Sequence, residues 1–249
     1  MKQIRVLMGM PIAVEIVDPH ADEAIFEEIY GYFKYIDEKF STYKKTSEIT
    51  AINEGRLAEK DWSEEMRLVF MLSEETKRET NGYFDIKTPN GTYDPSGLVK
   101  GWAIWNAAQL ILKNGFKNFY VDAGGDIQPH GMNAEGKLWT VGIKNPWNEA
   151  ENVKVMRVKT EGVATSGTYI RGLHIYNPRD GKPIDEIVSL TVIGPNIYEA
   201  DRFATAAFAM GKAAIHFIEN IPGLEGYMID NNKTATMTSG FETYVARPD

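Results

Sequence analysis

The sequence predicts an α+β protein with a mostly antiparallel sheet flanked by helices. Apolar residues follow helical spacing near the beginning and near the end of the 249-residue chain. Between these regions lies a block of short alternating segments separated by Gly, Asn and Asp turns. Because helices and strands are grouped, regular βαβ winding is disfavoured. No repeat, composition shift or low-complexity linker divides the chain, so we expect one domain over residues 1–249.

Composition excludes several classes of function. Hydrophobic residues make up 43% and charged residues 25% of the chain, as in ordinary globular proteins. The net charge of −8 argues against nucleic acid or an anionic membrane as partner. The absence of cysteine excludes disulfides, thiolate metal sites and cysteine nucleophiles. Because no segment has the apolar length of a membrane helix or signal core, we expect a cytoplasmic protein, although a signal removed before Met1 would leave no trace.

The first third of the chain predicts a hairpin followed by three helices. Alternating apolar residues on both sides of a break at Gly9 predict two strands joined by a tight turn. Helical spacing predicts a short helix through residues 49–52 and longer ones from about 61 to 80 and over 22–40, the last carried by Ile25, Ile29, Phe33, Ile36 and Phe40. Asp61 with Glu64 resembles a capping box for the third helix, and Asn81-Gly82 predicts its end.

The remaining two thirds predict a helix, a run of strands and a second helical region. The helix covers about residues 98–113 and ends at Asn114-Gly115. Strands are expected near 118–123, 126–130, 138–143, 153–159, 162–166, 173–176 and 187–194. Two helices over 198–211 and 212–220 follow, with closing strands near 225–230 and 240–246.

Asp201 and Thr205 are candidate metal ligands. They lie four residues apart in an apolar stretch, so a helix would place both side chains on one face. A carboxylate in such surroundings is costly unless something pairs with it. Carboxylate and hydroxyl oxygens suit Mg²⁺. The alternative is that Asp201 is a charge favoured by the dipole near a helix N-terminus, with Thr205 merely tolerated.

Three other segments carry residues that could serve chemistry. Lys100 lies in the first turn of a predicted helix, where it opposes the helix dipole, and a bound anion would remove that conflict. The spacing of a P-loop or a dinucleotide-binding loop is absent around it. The turn Asp122-Ala123-Gly124-Gly125-Asp126 allows close approach of a ligand or forms a plain hairpin. His174 precedes a Pro/Asp/Gly turn, and a histidine in such a place is more often structural.

Taken in order, these segments resemble the ApbE family, the FAD:protein FMN transferases. The resemblance covers nearly the whole chain, and its order is more specific than any single piece. The matching segments are Met8-Gly9-Met10-Pro11, Phe40-Ser41-Thr42-Tyr43, Gly82-Tyr83-Phe84-Asp85, Asp94 through Lys100-Gly101-Trp102-Ala103, Gly124-Gly125-Asp126, Ala164-Thr165-Ser166-Gly167, His174-Ile175-Tyr176-Asn177-Pro178, and Ala200-Asp201 through Ala204-Thr205.

The resemblance implies a specific chemistry. Such proteins bind FAD with Mg²⁺ at the pyrophosphate and transfer FMN to a threonine or serine hydroxyl of an acceptor flavoprotein, releasing AMP. It implies Asp201, Thr205 and the main-chain carbonyl near Gly97 as Mg²⁺ ligands, and His174 as the group near the reacting phosphate. The FAD contacts that it implies are Met8, Tyr43, Tyr83, Phe84, Asp85, Asp94, Lys100, Thr165 and Ser166.

Three functions are compatible with this resemblance. The first is FMN transfer, the second is hydrolysis of FAD to FMN and AMP at the same site, and the third is FAD binding without catalysis. The chain departs from the family pattern at Asn106, at Asn177 and in a short 86–93 segment. The presence of Lys100, Asp201 and Thr205 together with His174 favours an enzyme over a binding protein.

Overall fold

The fold is that of a computed structural model, which describes residues 1–168 and 175–247. Within these ranges the α-helices are α1 (Glu23–Phe40), α2 (Glu48–Asn53), α3 (Glu64–Glu79), α4 (Ser96–Lys113), α5 (Ile197–Phe208) and α6 (Ala214–Glu219). The strands are β1 (Lys2–Leu7), β2 (Met10–Ile16), β3 (Phe119–Ala123), β4 (Asp126–His130), β5 (Trp139–Asn145), β6 (Asn148–Val158), β7 (Gly162–Gly167), β8 (Ile187–Gly194), β9 (Glu225–Asp230) and β10 (Ala235–Met237).

Eight of these strands form one antiparallel sheet. Their order is β1-β2-β3-β4-β7-β8-β9-β10, while β5 and β6 pair separately as a hairpin. Each strand of the large sheet pairs with the next strand in the described sequence, except where the β5–β6 hairpin is inserted between β4 and β7. The predicted α+β class with a mostly antiparallel sheet is therefore confirmed.

The two faces of the large sheet carry separate apolar cores. One face packs against the helices, with Ile12, Val121 and Val192 among the buried residues of the sheet. The other face packs against the β5–β6 hairpin, where Trp139 and Phe241 are buried. This division places α4 and α5 directly on the sheet, so side chains of β4 and β7 that face them can reach the same space.

The helices form where apolar spacing predicts them, with one error at a helix start. The five apolar positions that predict α1 are all buried, and Asp22 caps its first turn by accepting from Ile25 N at 3.2 Å. The predicted capping box at Asp61 is wrong, because α3 begins at Glu64 and its cap is Ser63, which accepts from Met66 N at 3.2 Å. Glu48 fixes the Ser63 hydroxyl by accepting from it at 2.8 Å.

The predicted closing strand over 240–246 is also wrong. Residues Phe241–Tyr244 form a 3₁₀ turn, and the last strand of the sheet is instead β10. Only Phe241 is fully buried in this turn while its next two residues are exposed, a pattern that suits a helical turn better than an alternating strand. Half of the predicted strand over 173–176 lies outside the described residues, and in the described half Tyr176 makes an isolated bridge to Pro183. No helix of the described ranges has the length and apolar character to cross a bilayer.

Candidate functional site

The site is built where α4 and α5 pack against each other. A Cβ atom added at Gly101 would lie 2.6 Å from Asp201 Cβ and 2.8 Å from the Ile197 carbonyl oxygen. A Cβ atom added at Gly97 would lie 3.0 Å from Thr205 Cγ2. Gly97 and Gly101 are one turn apart on α4, as Asp201 and Thr205 are on α5, so the two pairs meet across the helix contact. The three predicted metal-site residues are therefore adjacent in the structure.

Asp201 is a buried acceptor and not a surface charge. Its side chain is 3% exposed, and its Oδ2 accepts a hydrogen bond from Gly101 N at 2.8 Å. This N–H group is the one that regular helix geometry directs to the Gly97 carbonyl. Asn196 is the N-cap of α5, so Asp201 lies beyond the first turn, where the helix dipole has little effect. The alternative in which Asp201 only complements the dipole is not what the structure shows.

Lys100 connects Asp201 to a second buried carboxylate. Its ammonium lies 3.4 Å from Asp201 Oδ1 and forms an ion pair with Asp126 Oδ2. The side chain of Asp126 is 2% exposed, and its Oδ1 accepts from Thr165 N at 3.0 Å. The sequence predicts no role for Asp126 alone. The signal for it was its position at the first residue of a strand directly after a double-glycine turn.

One ammonium therefore faces two buried carboxylates. Burial, opposed by Lys100 and assisted by the neighbouring Asp126, raises the pKa of Asp201 to about 7. The site as built carries a net negative charge when both carboxylates are ionised, and a further positive charge would be favourable there. The expectation that Lys100 lies in the first turn of its helix is wrong, because α4 begins at Ser96 with Pro95 as its N-cap. Like Asp201 in α5, Lys100 lies beyond the first turn, where the helix dipole has little effect. The anionic groups that it faces are the two carboxylates.

The segment before α4 places Asp94 at the edge of the site. Asp94 Oδ1 accepts from Ser96 N at 3.0 Å, at the start of α4. The backbone of the preceding residue, Tyr93, makes two hydrogen bonds with the Asn53 side chain. Tyr93 N donates to Asn53 Oδ1 at 2.7 Å, and Asn53 Nδ2 donates to the Tyr93 carbonyl at 2.9 Å. Asn53 is thus a positioning residue, since it fixes the chain immediately before Asp94.

The Tyr83-Phe84-Asp85 turn has one buried residue between two half-buried ones. Phe84 is 4% exposed, and its Cε2 atom lies 3.4 Å from where a Gly97 Cβ would be. Asp85 pairs with Lys77 at 2.6 Å. The ring of Tyr83 lies 5.0 Å from the Arg179 guanidinium. Phe84 therefore packs against the first turn of α4, whereas Asp85 and Tyr83 contact the charged side chains of Lys77 and Arg179.

The remaining predicted contacts fall in different surroundings. Met8 lies in the two-residue turn between β1 and β2. That turn is beside the Gly124 turn that leads to Asp126, because Gly124 N donates to the Pro11 carbonyl at 3.1 Å. The Tyr43 side chain is 97% exposed. His174 lies outside the described residues.

Thr165 and Ser166 point to opposite faces of β7. The Thr165 hydroxyl bonds the Thr191 hydroxyl at 2.8 Å, alongside Val163 of the core under the β5–β6 hairpin. Only the backbone N–H of Thr165 reaches the site, through Asp126. Ser166 alternates to the helix-facing side and is 9% exposed.

The oxygen donors of this site fit a hard cation. In the described part of the chain, no group of three or more His, Cys, Asp or Glu side chains could hold a metal ion. A cation here would use the Asp201 carboxylate, the Thr205 hydroxyl and the Gly97 carbonyl, and would need further oxygens from its ligand or water. Such an all-oxygen set suits Mg²⁺, which is often shared between a carboxylate and phosphate groups.

Fold and site together place a lysine, two buried carboxylates and a threonine hydroxyl where two helices pack against an antiparallel sheet. The sequence model of the ApbE family matches residues 8–93 and 87–228. The chain belongs to the ApbE family.

Relatives with curated names are similar to the chain over part of their length. The FAD:protein FMN transferase of Escherichia coli (strain K12) is 32% identical over 157 residues, which cover 59% of this chain and 45% of that protein. The protein of the same name from Klebsiella pneumoniae (strain 342) is 31% identical over 168 residues, covering 64% and 47%. The chain thus spans about half the length of the curated relatives it matches.

Solved structures share the fold over the full chain. The ApbE protein of Thermotoga maritima superposes with a TM-score of 0.86 at 21% identity, covering 99% of both chains. The flavin transferase ApbE of Vibrio cholerae gives a TM-score of 0.86 at 21% identity, covering 98% of both. At these identities the comparison establishes the fold.

Proposed function

We propose that this protein transfers FMN from FAD to a threonine or serine hydroxyl of an acceptor flavoprotein and releases AMP, with Mg²⁺ as the required cation. The observation that carries the proposal is the convergence of Gly97, Lys100, Asp201 and Thr205 at one helix contact in a member of the ApbE family. The names of the E. coli and K. pneumoniae relatives support the reaction class.

Three groups of this chain are the candidate ligands of the proposed cation. Asp201, Thr205 and the Gly97 carbonyl would hold it. The Gly101 N–H, which regular helix geometry directs to that carbonyl, donates to Asp201 Oδ2. Bound there, Mg²⁺ would supply positive charge to the pyrophosphate of FAD and so stabilise the charge that develops on the leaving AMP.

The residues of the chain bind and orient the reactants. Lys100 offers an ammonium to a phosphate oxygen, and the exposed ring of Tyr43 offers a face on which a planar ring can stack. In the reaction the acceptor hydroxyl oxygen forms a bond to the phosphorus of the FMN half. The bond from that phosphorus to the bridging oxygen breaks, and AMP leaves with the electron pair. We assign His174 as the base that accepts the hydroxyl proton, a role that suits an imidazole near neutral pH.

A single incubation tests the reaction. The protein is mixed with FAD, Mg²⁺ and an acceptor protein that carries a threonine or serine flavinylation site. AMP, free FMN and the acceptor mass are then measured together. We expect AMP in equal amount to acceptor that has gained FMN. Free FMN and AMP together with an unmodified acceptor would show an FAD pyrophosphatase. Absence of AMP would show a binding protein. Either result would reject the proposal for that acceptor.

Replacing Asp201 tests the cation site. Asp201→Asn keeps an oxygen that can accept from Gly101 N but removes the charge. We expect Mg²⁺-dependent AMP release to fall at least about hundredfold, the order of loss when a group that stabilises transition-state charge is removed. AMP release is assayed over a Mg²⁺ titration, and thermal unfolding checks that the fold is retained. Unchanged turnover in a folded variant would contradict the assignment of Asp201 as a ligand.

A further inference from the structure

We infer that the Lys100 ammonium, anchored by Asp126, acts as a built-in counter-ion at the cation site and keeps a free divalent cation out until a nucleotide pyrophosphate draws it away. The inference deepens the function proposed above and rests on it. It adds an order of binding and gives Asp126 a role as positioning residue.

The geometry leaves one Asp201 oxygen for a cation, and Lys100 is beside it. Oδ2 is committed to Gly101 N at 2.8 Å, on the side where α4 approaches most closely. Oδ1 is the other oxygen, and the Lys100 ammonium lies 3.4 Å from it. A divalent cation on Oδ1 would therefore lie within a few ångströms of a positive charge in a poorly solvated place, where like charges repel strongly.

Asp126 explains why the ammonium stays near Asp201. The carboxylate of Asp126 is buried, and its second oxygen is fixed by Thr165 N at 3.0 Å. Asp126 is therefore held by the sheet, and the ion pair that it makes with Lys100 ties the flexible end of that side chain to the sheet surface that faces α5. The Lys100 side chain is 21% exposed. Without the ion pair to Asp126, its ammonium would more readily extend into water.

A pyrophosphate changes this balance in two ways. Its negative oxygens attract the ammonium, which weakens the hold of Lys100 on Asp201. The same oxygens complete the coordination shell that the described protein groups leave short. Nucleotide and cation should therefore bind with positive coupling, and nucleotide-free protein should bind the cation weakly.

The test is cation binding without turnover. Mn²⁺, a probe for Mg²⁺, is titrated into nucleotide-free protein, and free Mn²⁺ is counted by electron paramagnetic resonance. We expect Lys100→Met to tighten Mn²⁺ binding at least about tenfold over wild type, because the repelling charge is removed while the length of the side chain is kept. Lys100→Arg, which retains the charge, should bind Mn²⁺ as weakly as wild type.

Lys39→Met is the matched control. Lys39 is also a poorly exposed lysine between two carboxylates, 2.8 Å from Glu65 and 3.8 Å from Glu48, but it is not paired with Asp201. Lys39→Met changes the net charge by the same amount as Lys100→Met and should leave Mn²⁺ affinity unchanged. The double variant Lys100→Met/Asp201→Asn should lose the gain, which places the bound cation at Asp201.

A second titration measures the coupling with ADP as the pyrophosphate-bearing probe. After correction for the Mn²⁺–ADP complex in solution, ADP should tighten Mn²⁺ binding to wild type and do so less in Lys100→Met. Mn²⁺ affinity of folded Lys100→Met within twofold of wild type would overturn the inference. Lys100→Gln gives the same decision if Lys100→Met does not fold.

The outcome is separable from that of the proposed function. The titrations need neither FAD turnover nor an acceptor protein. A gain in Lys100→Met together with a failed transfer assay would retain the counter-ion role and reject the transferase. Successful transfer together with unchanged Mn²⁺ affinity would reject the counter-ion role alone.

Discussion

The Thr205 side chain has two separate roles, one in packing and one in the proposed cation site. It is half-buried in a stretch of α5 in which the residues from Asp201 to Ala204 and from Ala206 to Phe208 are buried. Its methyl group faces Gly97 and lies 3.0 Å from where a Gly97 Cβ would be, so the side chain has a packing side and a polar side. The packing explains why the residue is β-branched, and the hydroxyl is what the proposed cation site uses.

The variant Thr205→Val separates these two roles. Valine keeps the shape and the contact with Gly97 but removes the hydroxyl. We expect Mg²⁺-dependent AMP release to fall at least about tenfold, while the free energy of unfolding changes by less than about 1 kcal/mol, since the lost group is not fully buried. AMP assays over a Mg²⁺ range and urea unfolding measure the two effects.

Thr191→Val gives the opposite pattern and serves as control. It removes the buried hydroxyl that bonds Thr165, on the sheet face turned away from α5. We expect a loss of about 1–2 kcal/mol in stability with turnover retained. If both variants lost stability and neither lost activity, the Thr205 hydroxyl would have no part in cation binding.

At the scale of elements, the site depends on how closely α4 and α5 approach. Helices usually pack with interaxial distances of about 8–10 Å, set by the side chains at the contact. Gly97 and Gly101 remove side chains at two successive turns of α4, and this allows Asp201 to reach the Gly101 backbone. Arg202 adds a polar link from α5 to α3 through Thr76 at 3.2 Å and an ion pair with Glu79.

Gly101→Ala tests this approach. Alanine raises helix propensity by about 1 kcal/mol, so a purely local argument predicts stabilisation. The new Cβ would lie 2.6 Å from Asp201 Cβ and 2.8 Å from a backbone oxygen, so the helices must separate. Because overpacking costs about 1–3 kcal/mol, we expect net destabilisation of up to about 2 kcal/mol, together with loss of activity. Urea unfolding and AMP release measure the two effects.

Gly31→Ala is the matched control on α1. A Cβ atom added there meets nothing within 4 Å. With no steric cost, the same substitution should stabilise the protein by about 0.5–1 kcal/mol. Equal stabilisation by both substitutions would contradict the close contact of α4 with α5.

At the scale of the whole molecule, Asp18 joins the first hairpin to a distant part of the chain. Its Oδ2 accepts from Lys117 N and Asn118 N, both at 2.6 Å, and its Oδ1 accepts from Asn118 Nδ2 at 2.7 Å. These bonds lock the end of β2 to the entry of β3, and so hold the register that brings the Met8 turn beside the Gly124 turn.

Asp18 makes stability depend on pH in a predictable direction. Burial acts to raise the pKa of its carboxyl, but the hydrogen bonds from Asn118 and Lys117 outweigh burial and lower the pKa below its ordinary 3.8. Because the folded pKa lies below the unfolded one, this carboxylate contributes stability above pH 3.8 and loses it as pH falls through the folded pKa. Asp18→Asn should therefore cost about 1–2 kcal/mol at pH 7, and the difference from wild type should shrink toward pH 3.

Urea unfolding of both proteins at pH 7, 5 and 3 measures this difference. Asp61→Asn, at an exposed carboxyl in a 3₁₀ turn, is the control and should change stability by less than about 0.5 kcal/mol at any of these pH values. A difference between wild type and Asp18→Asn that stayed constant from pH 7 to pH 3 would contradict the role of the ionised carboxylate.

Local chemistry was enough to predict the fold class, most of the helices and the face shared by Asp201 and Thr205. Apolar spacing and turn residues act over a few positions, so they can be read along the chain. The errors at Asp61 and at 240–246 arose where the choice lay with distant groups. Glu48 holds the Ser63 cap. In the turn at 241–244, the core under the β5–β6 hairpin buries Phe241 fully, and Tyr244 packs against that core while only partly buried.

Only the tertiary structure decided which hydrogen-bond and ion-pair partners the site residues have. Gly101 and Asp201 are 100 residues apart in the sequence, and nothing local indicates that one donates to the other. The pairing of Lys100 with Asp126 likewise depends on α4 lying over β4. The energy of burying charged groups depends on which partners the fold brings within a few ångströms. Spacing along the chain could therefore identify Lys100 and Asp201 as candidates. Only the packing of the helices on the sheet shows that the Lys100 ammonium lies between the carboxylates of Asp126 and Asp201.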